Sequence, residues 1–168
     1  MITWLYYPRS RKPPLLVRSV IDVFQHASPA IDSSKHEFSS NQVLAAVAPG
    51  LAQLGFRVET SKKAADKVPV PVLFGLNGAL EKSFAADAHH ESAGMVVEVE
   101  AGRGVVNNQF LKDLFQACMM TGVTEFAVAV RNLYRTSNDF EQVRRFFDTL
   151  YASNRLQLPL EGILLIGY

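Results

Sequence analysis

Three carboxylates, Asp87, Glu98 and Glu100, carry the strongest chemical signal in this sequence. They lie in residues 84–100, Phe-Ala-Ala-Asp-Ala-His-His-Glu-Ser-Ala-Gly-Met-Val-Val-Glu-Val-Glu, a largely apolar stretch otherwise interrupted by His89 and His90. The segment reads as two adjacent strands joined by a turn at residues 91–94. Glu98 and Glu100 are two apart, so in a strand they project from one face while Val97 and Val99 project from the other. A neighbouring strand carrying Asp87 brings a third carboxylate beside them. Acids in an apolar strand are expensive to bury, and clustered acids raise one another's pKa values. A hard divalent cation with oxygen ligands removes that penalty, and Mg²⁺ is typically held by few carboxylates plus water and phosphate oxygens. Metal-assisted phosphoester chemistry with Mg²⁺ or Mn²⁺, with Asp87, Glu98 and Glu100 as metal ligands and catalytic groups, is the expectation. Asp87 and Glu98 should then share one face of the sheet.

The candidates for phosphate contact are Arg103, Asn107, Asn108, Gln109 and Lys112, in the loop and first helical turns after the Glu-x-Glu strand. Backbone N–H groups at a helix start also attract phosphate. Lys112 reads equally well as an ordinary solvated position. Arg131, Asn132 and Arg135 follow the next strand and are placed toward the same cleft. The basic residues at 9–12 and the pair Arg144-Arg145 read as solvated surface, as do Lys62, Lys63 and Lys67. Glu37 either joins the acidic site or is a charge near a helix N-terminus; the latter is preferred. A zinc site needs three or four suitably spaced ligands, and neither a His-x-x-x-His nor a cysteine pair is present, so His89 and His90 read as loop residues. Cys118 is the only cysteine, which excludes an intrachain disulfide.

These groups need elements to position them. Val17, Val20, Ile21 and Phe24 have helical spacing over residues 15–26. Residues 41–54 form a second helix, opened by a Ser39/Gln42 capping box and kinked or broken at Pro49-Gly50. Strands are expected at 56–60, at 68–76 (with Pro69 and Pro71 marking an edge or lead-in), at 83–90 and at 94–100. A helix over 107–120 buries Phe110, Leu111, Leu114, Phe115 and Cys118. A strand at 126–130, a helix at 139–152 capped by Asn138 with Glu141, and a strand at 160–168 complete the chain. The order is helix, helix, four strands, helix, strand, helix, strand: one α/β domain spanning 1–168, with a mixed central sheet flanked by helices. The runs 126–130 and 163–166 lack alternation and should be buried on both faces.

Composition bounds the alternatives. A chain of 168 residues with 48% hydrophobic and 20% charged residues is globular rather than disordered. A formal net charge of +1 does not announce a nucleic-acid binder, so any phosphate contact must come from a local patch. No apolar run approaches the roughly 20 residues that span a membrane, so no membrane partner is expected. The start of the chain lacks the basic-then-apolar pattern of a secretory signal. A reducing, cytoplasmic setting is expected.

With these residues and this element order, the chain resembles the PD-(D/E)XK superfamily, the restriction-endonuclease-like nucleases. Asp87 matches the acid that opens one strand of the family signature. Glu98-Val99-Glu100 matches the Glu-x-Lys of the next strand, and the helix at 107–120 and strand at 126–130 follow in the family's order. The resemblance covers roughly residues 37–131. Ala86 stands where the family has proline, and Glu100 stands in place of lysine, as in a subset of type II restriction enzymes. The resemblance implies a restriction-endonuclease-like core, one or two Mg²⁺ ions (or Mn²⁺), and DNA as substrate. It also implies a homodimer, since two-fold symmetric targets need two active sites. With Glu at 100, activation of the attacking water passes to the metal, which lowers the pKa of the water it binds, and to Glu100 as ligand or general base. Two other readings stand beside it: a noncatalytic interaction module that kept the fold, and a metal-dependent hydrolase of a small phosphorylated molecule.

Overall fold

The computed structural model describes residues 1–61, 63–102, 105, 107–134 and 136–168. A mixed six-stranded sheet forms the centre, built from β1 (Thr3–Tyr7), β2 (Arg57–Val58), β5 (Ala88–His90), β6 (Met95–Val99), β7 (Glu125–Val130) and β8 (Gly162–Gly167) in the order β1-β8-β7-β6-β5-β2. The remaining strands, β3 (Val68–Phe74) and β4 (Leu80–Ala86), pair with each other as a separate two-stranded ribbon. β6, β7 and β8 run parallel, and the sheet's outer pairs are antiparallel. The class is therefore α/β, with helices on both faces.

The central strands explain the two cores. Every residue of β7 and β8 is buried, as the apolar runs 126–130 and 163–166 require, and Glu125 at the start of β7 is buried with them, accepting from the Tyr6 hydroxyl. One face of the sheet, with Val97, Val99, Ala127, Ala129, Leu164 and Ile166, packs under α1 (Leu15–Ile31) and α2 (Ser40–Gln53). The opposite face, with Val96, Phe126, Val128, Ile163 and Leu165, packs under α3 (Gln109–Met119) and α4 (Asp139–Ser153). This two-sided burial fixes register: Glu98 follows Val97 and must therefore look toward α3.

Several sequence expectations need correction. β1 was not anticipated; it closes one edge of the sheet by antiparallel pairing with β8, from Thr3↔Gly167 to Tyr7↔Ile163. The expected strand at 83–90 is two strands in two different sheets, parted at Asp87. The expected strand at 56–60 shortens to Arg57–Val58, and the helix at 15–26 extends through Pro29 to Ile31. Pro49 does not break α2, whose helical run continues to Gln53 with Val47 and Leu51 anchored in the core on either side. The Ser39/Gln42 capping box and the Asn138 cap on Glu141 N–H both form. Phe115 is exposed rather than part of α3's buried side. Among the described residues, no helix is long and apolar enough to cross a membrane.

Candidate functional site

Asp87 sits at the point where the chain leaves the ribbon and enters the main sheet. Its carbonyl accepts the Glu59 N–H at 2.7 Å, extending the β2–β5 pairing by one residue. Continuing the Ala88↔Val97 register by one residue sets Asp87 against Glu98 on the other side. Glu59, Asp87 and Glu98 thus occupy one rung across three strands, and alternation turns their side chains to the same face. The Asp87 carboxylate accepts the Val99 N–H at 2.8 Å, which pins it across the end of β6.

Glu100 lies two residues beyond Glu98 on that face. Its main chain is held twice, by its N–H donating to the Ala129 carbonyl at 2.8 Å and by the Tyr168 hydroxyl donating to its carbonyl at 2.8 Å. From above, α3 contributes Gln109, Lys112, Asp113 and Gln116, and the first turn of α2 contributes Ser40 and Asn41. Together with Glu59, Lys67 and Ala85–Val99 residues of the two strand ends, these groups line a single open cleft of about 370 Å³. Asp87, Glu98 and Glu100 therefore share one face and one cleft.

The electrostatics are those of crowded, partly dehydrated acids. Burial pushes the Asp87 carboxyl up to about 6, opposed by the Val99 hydrogen bond and reinforced by Glu59 and Asp113. Glu98 is driven well above the carboxylate range, first by burial and then by Asp87, Asp113 and Glu100. Glu100 is raised by burial and by its hydrogen bond with the Asp113 carboxyl, and Asp113 is raised by burial. Five carboxyl groups line the cleft against the ammonium groups of Lys67 and Lys112. Lys67 is engaged with Glu59 at 3.3 Å. The donor set is all hard oxygen, which suits Mg²⁺ or Mn²⁺. Among the described residues, no three His, Cys, Asp or Glu side chains already converge as a ready metal cage. A hexacoordinate cation that keeps several waters requires only one or two direct carboxylates, so the donors fit such an ion without a closed cage.

The other expected site residues divide. Gln109 and Lys112 line the cleft. Asn107 and Asn108 are exposed and do not appear among its lining residues; Asn108 instead takes the left-handed N-cap position of α3 at φ 54°. Arg103, Arg135 and Lys62 lie outside the described residues. Arg131 is not turned to phosphate: it is buried, its guanidinium donates to the Phe38 carbonyl, and it stacks on Tyr134 at 5.0 Å. Asn132 donates to the Met1 carbonyl at 3.0 Å. Arg144 and Arg145 pair with Glu141 along α4, as a solvated helix face should. Glu37 is exposed and absent from the lining residues. His89 and His90 are strand rather than loop residues; they line a different surface recess with Gly55, Arg57, Glu91 and Ser92.

Sequence reasoning missed Glu59, Lys67 and Asp113. Asp113 had a usable signal, because an acid within the apolar stripe Phe110, Leu114, Ala117 cannot be a surface residue. Glu59 and Lys67 had none, since their positions depend on how a two-residue strand meets β5. No family model matches this chain, and comparison with curated proteins returns no match.

Proposed function

We propose that the acidic cleft binds a divalent cation, Mg²⁺ or Mn²⁺, and hydrolyses phosphodiester bonds, with DNA as the substrate class and a restriction-endonuclease-like core as its scaffold. The observation that carries this reading is that Asp87, Glu98 and Glu100, from two strand ends, line one cleft that also presents lysines. A surplus of carboxylates over ammonium groups repels a polyanion unless cations or protons neutralise it. A bound divalent cation supplies that neutralisation, polarises the phosphate and acidifies water. The chain's own groups do the rest. Asp87 and Glu98 hold the cation's position because their main chains are fixed in paired strands. Glu100, once ionised, accepts a proton from the attacking water. Lys112 and Lys67, on opposite sides of the acids in sequence, contact phosphate oxygens, with the Gln109 amide as a further donor.

The test is cleavage of supercoiled plasmid and of linear single- and double-stranded DNA with Mg²⁺ or Mn²⁺, wild type against Glu100→Gln. Metal-dependent cleavage that the substitution reduces on the order of 10²-fold supports a base or ligand role. Cation binding without DNA cleavage points to a small phosphorylated substrate. Absence of both leaves a noncatalytic module that retains the fold.

A further inference from the structure

Asp113 lies outside the Asp-and-Glu-x-Glu pattern, and its surroundings leave it incomplete. It sits in the second turn of α3, in line with the buried side chains of Phe110, Leu114 and Ala117, and is itself only 7% exposed. Its Oδ1 accepts a long hydrogen bond, 3.3 Å, from the Gln109 side-chain amide. Its Oδ2 is buried and receives no hydrogen bond from an amide, a hydroxyl or a cationic group among the described residues. The group that meets it from the sheet is another carboxyl, that of Glu100. A buried carboxyl held by one long amide hydrogen bond and otherwise only by a second acid, with which it can at best share a proton, is destabilising when both are ionised, whereas an amide or apolar side chain would fill the same position without that penalty. Its neighbours offset this only in part: Lys112, at the preceding position of the helix, favours the charge from an exposed site, and Lys67 is engaged with Glu59.

We propose that Asp113 is a cation ligand of the cleft, acting with Glu100 so that a divalent cation ties the end of β6 to α3. The inference rests on the cation reading given above and extends it to a residue on a different element. Two carboxyl groups facing each other across a dehydrated gap are complementary to a hard divalent ion with oxygen ligands, and the orphaned Oδ2 is the atom that ion completes. The consequence is mechanical as well as chemical. α3 is otherwise held by its apolar stripe, and the cation gives it an ionic attachment to the sheet.

Mn²⁺ is the probe, its binding read from loss of the free-ion paramagnetic resonance signal and its effect on α3 from amide hydrogen exchange across residues 109–119. Wild type should bind Mn²⁺, and binding should slow exchange in α3. Asp113→Asn should melt, without metal, at the same temperature as wild type or higher, should bind Mn²⁺ at least about ten-fold more weakly, and should show no slowing in α3. Asp113→Asn binding Mn²⁺ as tightly as wild type overturns the inference and leaves the cation reading standing. Wild type that binds no Mn²⁺ removes both. If Asp113→Asn does not fold, wild type alone decides: Mn²⁺ bound with α3 exchange unchanged overturns the inference.

Discussion

The Asp87 carboxylate accepts the Val99 amide proton at 2.8 Å, so the residue that ends the ribbon also closes the end of β6. A side chain serving as both a main-chain acceptor and a site acid responds differently to two substitutions. Asp87→Asn keeps an oxygen for the Val99 N–H and loses the charge; Asp87→Ala loses both. Urea unfolding of the metal-free protein should show Asp87→Ala less stable than Asp87→Asn by about 1 kcal/mol. Equal stabilities would mean that the hydrogen bond contributes nothing.

Stability should depend on pH with an unusual sign. Asp87, at about 6, and Glu98 and Glu100, also raised, bind protons in the folded state at pH values where the unfolded chain has released them. Stability therefore falls as pH rises from the unfolded carboxylate range through the folded values. His89, lowered by burial, acts in the opposite sense below about pH 6.5, so the comparison belongs above that value. The metal-free melting temperature should decline from pH 6.5 to 8.5, and Glu98→Gln should flatten the decline. A melting temperature that rises over this range in wild type would contradict the crowding of these acids.

On the proposed restriction-endonuclease-like reading, Glu100 takes the position that lysine holds in such nucleases. If Glu100 is ligand or base, Glu100→Gln should lower Mg²⁺-supported cleavage on the order of 10²-fold or more. Glu100→Lys restores the commoner pattern and should retain more activity than the glutamine variant. Wild-type rates in Glu100→Gln would remove Glu100 from the chemistry.

The doubly covered strands make a prediction independent of function. Phe126 and Leu165 are fully buried, packed against the side of the sheet that α3 and α4 cover. Phe126→Ala should cost about 3–5 kcal/mol and Leu165→Ala about 2–5 kcal/mol in urea unfolding. Losses below about 1 kcal/mol at both positions would contradict burial.

Legibility in the sequence follows the physics of each element. β7 and β8 could be read because burial on both faces demands unbroken apolar runs, and the α2 and α4 starts because caps have local chemistry. β1 escaped because its run Thr-Trp-Leu-Tyr-Tyr mixes exposed and buried aromatics at an edge, without clean alternation. The switch of sheets at Asp87 escaped because neither glycine nor proline marks it anywhere in residues 80–90, and the parting comes from tertiary pairing. That Asp87, Glu98 and Glu100 share one cleft was legible from their spacing in apolar sequence. Glu59 and Lys67 lie in the connection after β2 and Asp113 lies far along the chain on α3; what unites them is the Glu59–Asp87 pairing, the Lys67–Glu59 ion pair and the seating of α3.

Calorimetric titration of Mn²⁺ into wild type and Glu98→Ala at pH 7.5 tests the cation assignment most directly. Wild type should show saturable binding with proton release, because acids raised by burial must ionise to bind. Glu98→Ala should bind at least about ten-fold more weakly. Wild type without binding, or both proteins binding equally, would contradict a metal site built on Asp87, Glu98 and Glu100.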